Sequence, residues 1–416
     1  MAQKSPKKDT PSLSGRAALR YSDIRLLLFS KLFGWISLHM VLVAIAYQVY
    51  DVTGDVMNLA YIGLATFAPA VGFSLFTGYT ADLFDRKIVM AICFSVILFS
   101  TVLFLLWSLG SKSDVWPVFC ILLILGTGRA FYQPASNSLV PNLVPPEIFP
   151  NAVAWHTSTN KVAQMVGPAI GGMVYLLGPE YVYGFSVLGL AIGTFLIGMI
   201  KTKTKKLSKE PTSLRVLLAG LSYVYNKKIV FGAITVDLFV VLCASVTALL
   251  PVFAKDILEV GPSGAGFLRS AIAIGSLPTA LLLTQITIDR AVGKILFISI
   301  YVFGAATILF GLSQVYWLSL LAMVIIGVGD MVSVYIRHTL IQIATPDNMR
   351  GRVSAVDAVF TGASNEIGEF RAGLMAAMIG AVPAVLLGGL GCFLITAVCW
   401  KIFPELTKVE RMDRNL

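Results

Sequence analysis

The chain consists of apolar runs of about 20 residues or more, repeated along its whole length and separated by short polar segments. A run of that length, coiled as a helix, crosses the hydrocarbon core of a bilayer. Lipid offers no hydrogen bonds to the backbone, so each run has to satisfy its own polar groups and must be helical. Runs are read at 24–50, 57–80, 88–109, 115–139, 153–176 and 181–200, then at 229–254, 263–286, 293–313, 316–344, 353–378 and 382–403. The expected fold class is all-α integral membrane with twelve transmembrane helices. Composition agrees: of 416 residues 57% are hydrophobic and 13% charged, and mean hydropathy is +0.82, beyond what a water-soluble domain tolerates.

The formal charge of +10 does not indicate a nucleic-acid partner, because the basic residues sit in the short segments between runs. They report orientation instead. Of the loops on one side, only Lys112 and Lys255 supply a basic residue, whereas the tails and the alternate loops hold many. Both termini are therefore expected in the cytoplasm of a multi-pass plasma-membrane protein, the inner membrane if the source is Gram-negative. The expected division is a basic tail 1–23, a six-helix half 24–200, a cytoplasmic linker 201–228 with an amphipathic segment on the inner membrane surface, a second half 229–403, and a tail 404–416. Cys93, Cys120, Cys243, Cys392 and Cys399 lie in apolar stretches without ligand-like spacing, so they read as buried small hydrophobes, and no metal site is expected.

The halves echo one another. A slide of about 200 positions superimposes Gly126 and Gly128 on Gly327 and Gly329, Pro145 on Pro346, Gly167 on Gly368, and Gly172 on Gly373. A slightly larger one puts Asp85 and Arg86 on Asp289 and Arg290. Such a repeat predicts two halves related by an axis along the membrane normal, with a path between them.

Three motifs carry chemistry. Gly78, Asp82, Asp85, Arg86 and Lys87 follow the second run, and Asp289 and Arg290 repeat part of that pattern. The loop resembles the G-x-x-x-D-x-x-G-R-K signature of the major facilitator superfamily, with Asp85 where glycine is usual. The resemblance implies a gate in which Asp82 accepts from a helix N-terminus and Arg86 and Lys87 pair across the cytoplasmic side. Gly167, Pro168, Gly171 and Gly172 resemble the Gly-Pro signature of that superfamily's exporters; small residues allow close helix approach and proline a bend. The run from Thr345 through Arg350 and Arg352 to Glu366 and Glu369, with Gly128 and Arg129, is similar to the branch holding the enterobactin exporter and the macrolide efflux proteins. It implies the two-half major facilitator fold.

Lys31, Arg129, Lys161, Asp237, Arg269, Asp330, Arg337, Asp357, Glu366, Glu369 and Arg371 fall inside the runs, where each needs a partner or a watered cavity. Asp237, Asp330, Glu366 and Glu369 are the proton-carrier candidates, with Glu366 favoured, because a carboxylate taken out of water gains by holding a proton. If span roles follow the superfamily that the chain resembles, Trp35, His39, Gln48, Arg129, Tyr335 and Arg337 are expected to line the substrate cavity. The resemblance implies a secondary transporter exporting an amphipathic or siderophore-like small molecule by alternating access, driven by a proton gradient, without other cofactors and as a monomer in the lipid bilayer. A lysolipid flippase is the alternative within that fold. A receptor or enzyme finds no support, since H-E-x-x-H, G-x-S-x-G and a phosphate loop are all missing.

Overall fold

A computed structural model of the chain describes residues 15–73, 76–77, 80, 84–110, 114–202, 214–286, 288 and 290–411. Among these residues helices carry the fold and no strand occurs. The first set comprises α1 (Ser22–Thr53), α2 (Met57–Gly72), α3 (Arg86–Leu109), α4 (Trp116–Leu143), α5 (Phe149–Val174) and α6 (Pro179–Gly198). A shorter α7 (Leu214–Asn226) precedes the second set: α8 (Lys228–Ala244), α9 (Gly261–Leu283), α10 (Val292–Leu312), α11 (Tyr316–Ala344), α12 (Asp347–Ile379) and α13 (Ala381–Ile402).

Among the described residues nine of these helices are long and apolar enough to cross a membrane, α8 being counted with its continuation to Ile257. The other three expected spans fall on α2, apolar but only 16 residues long, and on α5 and α12, with 26 and 33 residues. Of these two long helices, α5 packs on α1 and α9, and α12 on α2 and α8.

Packing follows the repeat. In the first set α1 lies against α5 and α6, α3 against α4 and α6, and α2 against α4; in the second α9 and α10 lie against α11, and α8 against α12 and α13. The two sets meet along α5 with α9 and α2 with α12. The paired glycines stand at equivalent crossings. A Cβ on Gly126 would strike the Thr66 carbonyl of α2, and one on Gly327 the Ile272 carbonyl of α9. A Cβ on Gly172 would meet Pro262 and Gly266 of α9, and one on Gly373 would meet Ala60 of α2. Small residues at these four positions let backbone lie on backbone.

The expected continuous helix at 229–254 is broken. α8 ends at Ala244, Ser245 is extended, and the chain resumes as a 3-10 turn (Thr247–Leu249), one α-turn with Pro251, and a π-turn (Phe253–Ile257). Pro251 has no N–H to return to the preceding turn, and Arg371 of α12 donates to the freed Cys243 carbonyl. The amphipathic segment forms α7, whose Gly220 packs on the Arg352 carbonyl and whose Tyr223 hydroxyl donates to the Ala344 carbonyl at 2.8 Å. It thus rests on the ends of α11 and α12. Cys120 is exposed, against the expectation of burial for all five cysteines.

Candidate functional site

Two chambers lie between the sets and share Thr66, Arg129 and Glu366 as a common wall. The larger, about 420 Å³, is lined by Trp35, Phe67, Ala70, Gln133, Pro134 and Val359 and extends toward the face where α1 begins. The smaller, about 100 Å³, holds His39, Gly63, Thr247, Arg269 and Glu369 on the opposite side. At the wall, Arg129 Nη2 of α4 stands 3.9 Å from Glu366 Oε1 of α12, so an ion pair bridges the two sets at mid-depth. Glu369, one turn on, accepts from the Thr247 hydroxyl, a group that the break in α8 turns into the chamber. The Nε1 of Trp35 and the Nε2 of His39 are buried without a hydrogen-bond partner.

Five of the residues expected at the site, Trp35, His39, Arg129, Glu366 and Glu369, therefore converge, whereas several others do not. Gln48 is buried inside the first set, donating to Ser108 Oγ at 2.9 Å and accepting from the Tyr183 hydroxyl at 2.7 Å. Arg337 is 1% exposed and bound to Asp357, to Asp237 at 3.3 Å and to Thr361 at 3.2 Å. Neither lines a chamber, and Asp237 is committed to that network. Tyr335 packs with the apolar cluster around α8, α10 and α13. Asp330 on α11 lies outside both chambers, under the electrostatic influence of Lys161 and Arg337. Arg371 is occupied by Cys243 rather than by the acids beside it. Arg269 and Thr247 were not singled out as lining residues; the signal for Arg269 was its charge on an otherwise apolar run.

The network around Arg337 has a counterpart. In the first set Lys31 Nζ lies 3.0 Å from His156 Nε2, which also meets Ser136 Oγ at 2.9 Å, and all three are buried. Ser136 and His156 stand at the repeat positions of Arg337 and Asp357, and Lys31 lies on α1, the first helix of its set, as Asp237 lies on α8, the first long helix of the other. The same helix junction is thus pinned by polar groups in both sets, with different charges.

Of the gating motif, Gly78, Asp82 and Asp289 lie outside the described residues. Asp85 caps α3 by accepting from the Lys87 backbone N–H at 3.0 Å, which explains an aspartate at this turn. Arg86 donates to the Ser138 carbonyl and Lys87 to the Ile200 carbonyl, both bonds within the first set, and Arg290 is exposed. The Gly-Pro motif works in packing: Gly167 abuts His39 and Ile36 of α1, Gly171 abuts Met40, and the Pro168 carbonyl sits over Gly266 of α9. On the face opposite the start of α1, Tyr50 donates to Asp256 and Lys255 pairs with Asp51, closing the two sets together.

The family described as "Transmembrane secretion effector" matches residues 13–415. Macrolide efflux protein A of Streptococcus pyogenes is 23% identical over 377 residues, 89% of this chain and 92% of that protein. Enterobactin exporter EntS of Escherichia coli O81 is 24% identical over 382 residues, 90% of each. Among solved structures, an inward-facing, occupied bacterial homologue of the human lysosomal transporter Spinster superimposes with a TM-score of 0.71 at 14% identity, covering 92% of this chain and 97% of that one. Fold, coverage and family agree: the chain belongs to the transmembrane secretion effector family of the major facilitator superfamily and is a membrane transporter, not an enzyme.

Proposed function

We propose that this chain is a proton-coupled exporter that carries an amphipathic or siderophore-like small molecule out of the cytoplasm by rocking two six-helix halves about the chambers. The observation that carries this reading is the Arg129 to Glu366 contact, 3.9 Å long, between the halves and between the chambers. A carboxylate at mid-membrane needs a counter-charge or a proton. At that separation the guanidinium is a loose partner, longer than a hydrogen bond, so Glu366 can exchange Arg129 for a proton as the halves move. Relatives whose names say efflux and exporter support the outward direction.

With both termini cytoplasmic, as the Lys and Arg asymmetry argues, the larger chamber is the cytoplasmic entrance and the Tyr50 to Asp256 and Asp51 to Lys255 contacts are the closed outer gate. On this reading the protein works in the plasma membrane as a monomer, with the proton gradient as its energy source and no other cofactor. The test is Glu366→Gln in proteoliposomes across a panel of siderophores, amphipathic drugs and labelled lysolipid. Gradient-driven accumulation should vanish while exchange down the substrate's own gradient persists. Full gradient-driven transport in the variant removes Glu366 from the mechanism, and movement of lysolipid alone identifies a flippase.

A further inference from the structure

α7 and α8 diverge from a single residue, Lys227, since α7 ends at Asn226 and α8 begins at Lys228. Between them runs a groove of about 540 Å³, lined by Leu221 and Tyr225 of α7, Phe231, Ile234 and Leu238 of α8, and Phe360 of α12. Its floor is closed, with Ile234 buried, whereas Leu221 and Tyr225 stand exposed on its rim. From Phe231 to Leu238 the groove follows α8 for roughly 10 Å at 1.5 Å per residue, about two thirds of the ~15 Å of hydrocarbon in one leaflet. An apolar slot that opens beside a membrane-spanning helix has the acyl chains of the bilayer as its solvent.

Charge sits at the head of the groove. Lys227 is exposed and its ammonium makes no hydrogen bond or ion pair among the described residues, whereas the adjacent Lys228 is paired with Glu405 at 3.0 Å. No carboxylate lines the groove. Tyr225, 71% exposed, supplies an amphipathic ring of the kind favoured where acyl chain meets head group.

We propose that this groove binds an anionic phospholipid of the cytoplasmic leaflet, with one acyl chain between α7 and α8 and the phosphate at Lys227. A singly charged head group matches the one unpaired ammonium, and the Lys and Arg asymmetry of the loops puts α7 on the leaflet where anionic lipid meets basic side chains. α7 also rests on the ends of α11 and α12 through Gly220 and Tyr223. The lipid thus ties those ends to the bilayer through α7, at a site separate from the chambers and independent of what the transporter carries.

The test uses the full chain in phosphatidylcholine nanodiscs doped with a photoreactive phosphatidylglycerol or phosphatidylcholine, each bearing a diazirine at the same acyl carbon. Crosslinked residues are mapped by mass spectrometry. The phosphatidylglycerol probe should label the groove about fivefold more than the phosphatidylcholine probe, which is what one basic side chain near a membrane surface contributes toward an anionic lipid. Lys227→Gln should bring the two probes level, Lys227→Arg should keep the preference, and Leu238→Trp, which fills the groove, should cut labelling by both. Equal labelling of the wild-type groove shows ordinary boundary lipid and overturns the site. So does a preference that survives Lys227→Gln, or labelling that Leu238→Trp leaves unchanged. A groove that neither probe labels, the result if a second copy of this chain or another membrane helix covers it, overturns it as well. The wild-type comparison decides even if a variant does not fold.

Discussion

Removal of one hydroxyl, in Tyr50→Phe, should shift the resting equilibrium of the transporter away from the state described above. Tyr50 is 5% exposed and donates to Asp256 across the two halves, whereas Asp256 itself is exposed. A hydrogen bond to a charged acceptor contributes about 1.5–3 kcal/mol when shielded from water, and a typical one about 0.5–1.5 kcal/mol; with one partner wet, a value where the two ranges meet, about 1–1.5 kcal/mol, is the reasonable one. Since 1.4 kcal/mol is tenfold in an equilibrium, the outward-open population should rise about five- to tenfold. The neighbouring pair gives the internal control. Lys255 and Asp51 are 34% and 51% exposed, and a surface ion pair contributes about 0–1 kcal/mol, so Lys255→Gln should shift populations by at most about fivefold and lose that effect in high salt. The assay is a distance distribution between spin labels on the outer ends of α1 and α9, in nanodiscs. An unchanged distribution in Tyr50→Phe, or a larger shift in Lys255→Gln, refutes the assignment of the hydroxyl as the dominant clasp.

Arg337→Met should lower thermal stability in detergent by about 3 kcal/mol or more, because it leaves Asp237 and Asp357 buried without their cation; adding Asp237→Asn and Asp357→Asn should recover most of it, and a single variant that melts like the wild type would show that the network is not structural. Gly172→Leu should abolish transport while leaving insertion intact, since the side chain must enter the backbone contact with Gly266; normal turnover in that variant would show that α5 and α9 tolerate separation.

Much of this architecture could be read from the residues. The apolar runs foretold helices, nine of which, among the described residues, are long and apolar enough to cross a membrane, and the offset that paired Gly172 with Gly373 foretold equivalent crossings between the sets. Glu366 and Arg129 were legible because a charge in such a run needs a partner or a cavity, and they became each other's. The same rule misdirected Gln48 and Arg337. A polar residue in a spanning helix can face the cavity or the interior of its own bundle, and periodicity does not distinguish the two, since both faces are protein-lined. The break at Ser245 was missed because hydropathy is blind to backbone conformation; Pro251 was the available signal. Its consequences for Thr247 and Arg371 were hidden with it, for they depend on which carbonyls the break leaves unpaired.

The crossings of α5 with α9 and of α2 with α12 also say how the two halves can turn. At Gly172 and Gly266, and again at Gly373 and Ala60, what touches is main chain and the smallest of side chains. A surface without interlocked knobs can slide: rotation there ruptures few van der Waals contacts and exposes little apolar area. The two contacts are repeats of one another, and on the rocking proposed above the line through them is the axle about which one half tips against the other. Distances across these crossings should stay nearly fixed through the cycle, while those at the Tyr50 clasp and at the entrance beside Gln133 open and close in opposition.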